Sequence, residues 1–169
     1  WRPRELGTLV FVERDDEVLL IEKKVGHGAG MINAPGGRLE SGETPVACAL
    51  REVREEVLLN CLNLRPAAHL RFQDNVNGFA MRGFAFVTQN FEGEAKETAE
   101  AVPFWCHWDE VPYHRMWEND RYWWPCVRAR KLLHGDFVFE EDRLLEHDIR
   151  LINPTDESTF ACDFYRSLK

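Results

Sequence analysis

The stretch Gly36-Gly37-Arg38-Leu39-Glu40-Ser41-Gly42-Glu43-Thr44-Pro45, continued by Arg51-Glu52-Val53-Arg54-Glu55-Glu56, decides how the rest of the chain is read. Paired glycines are followed by an acidic loop, then by Thr44, a good helix N-cap, with Pro45 at the first helical position. From there Val46, Leu50, Val53 and Val57 recur at helical spacing and predict one apolar stripe facing a core. Glu52, Glu55 and Glu56 fall away from that stripe. Residues three and four apart share a helix face, so these carboxylates can converge on one volume. Packed together they repel and raise one another's pKa unless cations neutralise them. Mg²⁺ takes oxygen ligands, keeps several waters and binds through carboxylates together with substrate phosphates. A metal pair about 4 Å apart can stabilise both the attacking and the leaving oxygen of a phosphorus displacement. The glycine pair lets backbone approach such an assembly closely, and Arg51 can reach back to Glu43 to tie helix to loop. A bare Glu-x-x-Glu-Glu is more often a solvated helix face; Gly37, Glu43 and Arg51 at fixed offsets reverse that balance.

Outward from this segment the chain reads mostly as strands. Thr8-Leu9-Val10-Phe11-Val12 and Val18-Leu19-Leu20-Ile21 are β-branched and apolar, and the charged Glu13 to Glu17 between them predicts an opening hairpin. Lys23-Lys24 ends the second strand. Gly26, Gly28 and Gly30 predict a flexible loop; without a strand–turn–helix context they are not a dinucleotide fingerprint. Ala67 to Asp74 and Phe79 to Gln89 are strand-like around the hairpin signal Asn77-Gly78. Val102 to Trp108 predicts a further strand, and Asp109 to Tyr113 a short turn or helix. Asn119-Asp120 can cap a helix reaching about Leu133 and ended by His134-Gly135. Phe137 to Phe139 and Leu144 to Ile152 predict late strands, whereas the polar, poorly periodic residues from Asn153 onward form a tail whose structure the pattern leaves open. No repeat, low-complexity block or linker interrupts the pattern. The expectation is one α+β domain over residues 1–169.

Composition narrows the function. A formal charge of −8 speaks against a nucleic-acid polymer as partner, since tracking phosphates needs a basic surface. It leaves room for a nucleotide whose phosphates are bridged to carboxylates by metal ions. Five scattered cysteines without a Cys-x-x-Cys pair predict a reducing, cytoplasmic setting and small buried hydrophobes. No apolar run approaches membrane-spanning length and nothing resembles a signal peptide. The chain begins at Trp1 without a Met, so the native N-terminus is expected upstream. A monomer is expected.

The pattern Gly37-x5-Glu43-x7-Arg51-Glu52-Val53-x-Glu55-Glu56 resembles the Nudix box, the signature of hydrolases that cleave a nucleoside diphosphate linked to another moiety. The resemblance implies a Nudix fold, a mixed β-sheet sandwiched between helices. It departs at one place: the family pattern has a glycine where this chain has Leu58, past the ligands at the helix exit. Met116-Trp117-Glu118-Asn119-Asp120-Arg121-Tyr122-Trp123-Trp124-Pro125 further resembles the oxidised-purine nucleoside triphosphatases, the mammalian MutT homologue group. So do Thr8-Leu9-Val10, Lys23-Lys24, Gly26 to Gly30 with Asn33, and His134-Gly135-Asp136-Phe137-Val138-Phe139. This covers roughly Gly7 to Arg150 and leaves a tail, 151–169, unmatched.

What the resemblance implies is specific. Trp117, Asn119 with Asp120, and Asn33 hold the base; Phe72, Met81 and Trp123 line a hydrophobic pocket; Thr8, Lys23 and Glu118 complete the substrate-binding set. Mg²⁺, or Mn²⁺ in its place, is held by Glu52, Glu55, Glu56, Glu100 and the Gly36 carbonyl. Glu52, Glu56 and Glu100 are the catalytic candidates, with either Glu56 or Glu100 orienting or deprotonating water. Gly37, Glu43 and Arg51 are structural members of the box. The implied activity is hydrolysis of purine nucleoside triphosphates such as 8-oxo-dGTP to monophosphate and pyrophosphate, a nucleotide-pool sanitation role allied to DNA repair. The alternatives are another nucleoside diphosphate derivative (dGTP, a dinucleoside polyphosphate, a nucleotide sugar, capped RNA) or a non-catalytic binding module. The binding-module class shows a broken box, whereas every ligand-type glutamate is present here.

The physics of that assignment is consistent. Stacking on an aromatic contributes on the order of 1–3 kcal/mol per base, and hydrogen bonds at the base edge then select among bases. Trp117 beside an Asn-Asp pair reads as a platform, whereas Trp105, Trp108 and Trp124 read as core, and an exposed strand-end lysine is the commoner role for Lys23. Asn119-Asp120 as a helix cap alone stays open. Where the family has two adjacent aspartates this chain has Asn119 then Asp120. An amide cannot titrate, so Asn119 is expected to donate to a purine O6 while ionised Asp120 accepts, favouring guanine types over 2-hydroxyadenine types. His27, Met31, Ile32 and Pro35 also replace residues typical of the family.

Overall fold

A computed structural model describes residues 1–166. Strands β1 (Glu5–Arg14) and β2 (Glu17–Lys23) form the opening hairpin, but they pair only beside the turn, Glu13 with Val18 and Arg14 with Glu17. Beyond it they fork. Strand β1 runs parallel to β6 (Ala80–Thr88), while β2 runs antiparallel to β8 (Ala101–His107) and to the short β3 (Ile32–Asn33). The Pro35-Gly36-Gly37 segment lies in the fork, where Val10 N–H donates to the Pro35 carbonyl and Thr8 N–H to the Gly37 carbonyl, both at 2.8 Å.

The main sheet runs β10 (Arg143–Leu151), β9 (Leu133–Glu140), β5 (Arg65–Asp74), β6, β1, β2, β3, with β8 also on β2. The pairs β1–β6 and β5–β9 are parallel and the others antiparallel, so the sheet is mixed. Strands β4 (Asn60–Leu62) and β7 (Asn90–Glu92) make a small second sheet. Period-two alternation divides the apolar side chains between two faces. Phe11, Val18, Leu20 and Ala85 pack with Trp123, Trp124 and Val127 of helix α2 (Asp120–Arg128). Val10, Val12, Leu19, Ile21, Phe84 and Phe86 pack with Ala49, Val53 and Val57 of helix α1 (Pro45–Val57). The expected sandwich of a mixed sheet between helices is what forms.

Helix α1 begins as its sequence dictates: Thr44 Oγ1 accepts from Ala47 N–H (3.2 Å) and Pro45 opens the first turn. Its buried stripe differs from the expected one. Leu50 is exposed, and Cys48, Ala49 and Glu56 join Val53 and Val57 inside. Small side chains let the helix approach β1 closely, which turns Leu50 about one residue's rotation away from the sheet. At the exit Leu58 takes the left-handed conformation (φ 62°, ψ 25°) that glycine favours, and its N–H bonds to the Arg54 carbonyl (3.1 Å). The glycine of the family pattern has been lost, but the turn it makes has not.

One other expectation is corrected, and the tail that the sequence left open is given a structure. Helix α2 stops at Arg128 and not near Leu133. Arg130 goes left-handed (φ 60°), Lys131 N–H closes on the Cys126 carbonyl (2.9 Å), and Leu133, Gly135, Phe137 and Phe139 then alternate inward as strand β9. The polar tail is also ordered as far as it is described: helix α3 (Glu157–Cys162) follows a turn at Pro154–Asp156, and Phe160 and Phe164 enter the α1-side core. The Phe164 carbonyl accepts from Val46 N–H (3.1 Å) and Tyr165 Oη donates to the Leu64 carbonyl (3.1 Å). Burying one such ring stabilises by roughly 1.5–3 kcal/mol, which two isolated phenylalanines in a polar segment do not announce. Residues 167–169 of that tail lie outside the described residues. All five cysteines are free, with Cys48 and Cys61 buried and Cys162 exposed. No helix among the described residues is long and apolar enough to cross a membrane.

A branched side chain held left-handed costs about 1 kcal/mol relative to glycine. Leu58→Gly is therefore expected to raise the melting temperature by roughly 2–4 °C, read by calorimetry. A fall would mean that the half-exposed Leu58 contributes through contacts that outweigh its backbone strain.

Candidate active site

The fork between β1 and β2 brings α1 against the glycine pair. A side chain at Gly36 would collide with the Thr8 carbonyl, and one at Gly37 would overlap the Glu52 carboxylate and force it to move. Glu56 is the residue that gains from this closeness. It is buried to 1% exposure, with Oε2 accepting from Gly36 N–H (2.9 Å) and Oε1 from Lys23 Nζ (3.3 Å). Burial raises its pKa, against the opposing pull of Lys23 and the Gly36 N–H. Burial also raises that of Glu52, with the charges of Glu55 and Glu100 adding and Arg51 opposing.

Arg51 organises the acidic loop. Its Nε and Nη2 grip both oxygens of Glu43 (2.9 and 3.0 Å), and Nη2 also reaches the Arg38 carbonyl (3.0 Å). Its Nη1 donates to Glu52 (2.7 Å) and Glu55 (3.0 Å). The fork geometry makes such bidentate carboxylate pairing strong, and Arg51 holds Glu43 below the usual carboxylate range. The predicted Arg51–Glu43 tie is thus present with more partners than expected. Beneath it the Cys48 thiol is pushed up to about 12 by burial, which makes it an unreactive packing group.

These residues form one end of a cavity of about 780 Å³, within the range of small-molecule sites. Lys23, Gly36, Gly37, Glu52, Glu56 and Glu100 line that end; Thr8, Asn33, Phe72, Met81, Trp117, Asn119 and Asp120 line the rest. Three predicted site residues are elsewhere. Glu55 turns out to solvent, its side chain 51% exposed, because the helix rotation that buries Glu56 carries it away. Glu118 is outside the cavity and accepts from Leu144 N–H (3.2 Å). Trp123 is fully buried behind the wall, edge-on to Phe11, and donates its Nε1–H to Asp120 Oδ1 (3.2 Å). It supports Asp120 from behind. Of the tryptophans expected in the core, Trp108 and Trp124 are buried there, while Trp105 is half-buried, packed on the α1-side core beside Phe91 and under Arg14.

Among the described residues, no three His, Cys, Asp or Glu side chains converge closely enough to hold a metal ion as they stand. Arg51 draws Glu52 and Glu55 one way and Lys23 draws Glu56 another. The donor chemistry still fits a hard divalent cation: Glu52, Glu56 and Glu100 share one cavity end, and the Gly36 carbonyl accepts no hydrogen bond from the described residues.

At the other end Asn119 and Asp120 are both 3% exposed. Asn119 occupies the helix N-cap position in helical conformation without a capping hydrogen bond, so capping is not what these side chains do. Asn119 Nδ2 instead donates to Asp120 Oδ1 (3.0 Å), and Asp120 Oδ2 is buried without a partner. Burial pushes the Asp120 carboxyl up to about 7, with the Trp123 and Asn119 hydrogen bonds and the nearby polar groups of Trp117 and Trp124 only partly offsetting it. Asn33 spends its Oδ1 on Ala34 N–H (2.8 Å).

Sequence reasoning missed two features of the mouth. His27 lies flat on Trp117, with ring centroids 4.9 Å apart and planes 17° apart; nothing in the glycine-rich loop marks it as a ring partner. Asp74 caps the hairpin loop, its Oδ1 accepting from Val76 N–H (2.8 Å) and Asn77 N–H (3.0 Å). That is an Asx turn, which an Asp three residues before Asn77-Gly78 could have signalled.

A carboxylate helix braced on a glycine turn at one end of a cavity, with rings, amides and a buried carboxyl at the other, is the layout of a nucleotide-derivative hydrolase. The NUDIX domain model matches residues 3–125, and the chain belongs to the Nudix hydrolase family. It is 36% identical over 146 residues to the oxidized purine nucleoside triphosphate hydrolase of Danio rerio, covering 86% of this chain and 94% of that protein. To the protein of that name from Mus musculus it is 34% identical over 149 residues, covering 88% and 96%. Among solved structures, the mutator MutT protein of Bacillus halodurans superposes with a TM-score of 0.77 at 27% identity, covering 86% of this chain and 97% of that one.

The buried carboxyl has a measurable consequence. A folded-state pKa near 7 lies above the unfolded value of about 3.9, so the folded chain holds a proton that the unfolded chain has lost. The stability this contributes is complete below pH 4 and is lost as pH rises through 7. Asp120→Asn removes the titration. Its stability relative to wild type is expected to increase from pH 5 to pH 8, by at most about 2.7 kcal/mol, in urea titrations. A pH-independent difference would mean that Asp120 is ionised in the fold throughout.

Proposed function

We propose that this Nudix hydrolase converts purine nucleoside triphosphates, with 8-oxo-dGTP as the preferred type, to the monophosphate and pyrophosphate. It would act as a cytoplasmic monomer on the free nucleotide pool. The observation that carries the base preference is the hydrogen bond from Asn119 Nδ2 to Asp120 Oδ1. With Asp120 ionised it sets the Asn119 amide with its nitrogen toward Asp120, because the flipped amide would then set two oxygens against each other. One Nδ2 hydrogen remains for the O6 of a guanine-type base, and the unpartnered Asp120 Oδ2 accepts from N1–H when ionised. An adenine-type base presents a 6-amino donor to that same amide hydrogen and is disfavoured. Trp117 supplies the stacking face, Phe72 and Met81 the apolar walls, and Asn33 Nδ2 a further donor.

At the phosphate end Glu52, Glu56 and Glu100, with Glu55 after a rotamer change and the Gly36 carbonyl, would hold Mg²⁺ or Mn²⁺. Bound there, the cation supplies Lewis-acid polarisation of phosphoryl oxygens and acidifies bound water. The protein's own groups divide the remaining work. Lys23 leaves one donor on Glu56 and offers others to a phosphate. Both oxygens of Glu56 already have partners, whereas the Glu100 side chain has none among the described residues, so Glu100 is the carboxylate free to take a proton from the attacking water.

The test is comparative. kcat/KM for 8-oxo-dGTP is expected to exceed that for 2-hydroxy-dATP by about 10-fold or more, the scale of one mismatched buried hydrogen bond. Asn119→Asp should narrow that ratio by improving the second substrate. Equal values for the two substrates in wild type would contradict the base reading.

A further inference from the structure

The β2–β3 loop is closed at its base by Lys23 N–H to the Met31 carbonyl (3.0 Å) and Gly30 N–H to the Lys23 carbonyl (2.8 Å). Its tip turns through Ala29 N–H to the Gly26 carbonyl (3.2 Å). Gly26, Gly28 and Gly30 all sit in left-handed backbone, at φ of 75°, 81° and 84°. A side chain at Gly26 or Gly30 would meet nothing within 4 Å, so no packing restrains the tip at these two points. His27 stands at the tip, exposed, with its ring on Trp117 at 4.9 Å and 17°, and on Phe79 at 5.8 Å and 28°. Trp117 and Phe79 do not pair with each other, and both line the cavity. The imidazole, which also lines the cavity, thus stacks on both rings and covers the indole face it lies on.

A base stacking on Trp117 from inside the cavity needs that face, since stacked rings sit about 4.5–7 Å apart between centroids. The imidazole already fills the layer. We propose that His27 is an internal competitor for the base-stacking face: a purine must displace its ring from Trp117, the loop tip turning on its glycines, and His27 thereby sets nucleotide affinity. The proposal rests on the purine reading of the cavity. Three features suit exchange. The His27 ring is exposed, so leaving the stack costs little desolvation; a bicyclic purine overlaps more of the indole than an imidazole does; and the flanking glycines accept new dihedrals without steric cost.

The test pairs proton NMR with kinetics. In the free protein the His27 ring protons, assigned by their absence in His27→Ala, should lie upfield because two aromatic rings flank them. On saturation with 8-oxo-dGMP they should move to the position of an exposed imidazole. His27→Ala should lower KM for 8-oxo-dGTP by about three- to tenfold, the range of one ring pair, and His27→Phe should restore a KM at or above that of wild type. Ring protons that stay upfield in the saturated complex, or a His27→Ala KM equal to or above wild type, overturn the competitor and leave the purine reading standing. Failure of wild type to bind either 8-oxo-purine nucleotide overturns both.

Discussion

Glu56 is a carboxylate almost wholly withdrawn from water and held by two hydrogen bonds, from the Gly36 amide and the Lys23 ammonium. A buried charge left without partners is strongly destabilising, so this one requires the elements that surround it to stay where they are. Helix α1 must lie against the fork of β1 and β2, the Pro35–Gly37 segment must fill that fork, and Lys23 must end β2 at the cavity wall. The glycine pair is the enabling condition. A Cβ at Gly36 would collide with the β1 backbone at Thr8, and one at Gly37 would displace the Glu52 carboxylate. The same withdrawal raises the proton affinity of Glu52 and Glu56, which is how a negatively charged site behaves before cations or substrate arrive.

The far end of the cavity repeats the device in a different chemistry. Asp120 is as buried as Glu56 but has no cation beside it; two neutral donors, the Asn119 amide and the Trp123 indole, hold one oxygen and leave the other open. The result is a carboxyl poised near 7, where an acceptor facing the cavity can be gained or lost within the physiological range. Trp123 thus matters to this end of the cavity without lining it. The cavity is consequently split into a charged end shaped by α1 and a polar, aromatic end shaped by the approach to α2.

Much of this was legible in the residues. The apolar runs of β1 and β2, the Thr44-Pro45 helix start and the Arg51–Glu43 tie are local chemistry, and local chemistry is what a sequence displays. The parts that were not legible are set by tertiary partners. Whether Leu50 or Ala49 faces the sheet depends on how closely α1 can approach β1, and that rotation also sends Glu55 outward. Where α2 ends depends on Arg130 accepting a left-handed turn usually given to glycine, so His134-Gly135 looked like the stop although it lies inside β9. The tail looked featureless because Phe160 and Phe164 find their partners only in a core built by distant strands. The Leu58 exit is the converse case, a missing glycine whose backbone turn persisted.

The central claim is that the α1 carboxylates and the base end act together on one nucleoside triphosphate. Product analysis of 8-oxo-dGTP turnover with Mg²⁺, by phosphorus NMR on wild type and on Glu56→Gln, tests it most directly. The account predicts 8-oxo-dGMP and pyrophosphate in equal amounts from wild type, and a rate lower by orders of magnitude from a Glu56→Gln protein that remains folded. Release of inorganic phosphate with 8-oxo-dGDP, or a Glu56→Gln rate close to wild type, would contradict it.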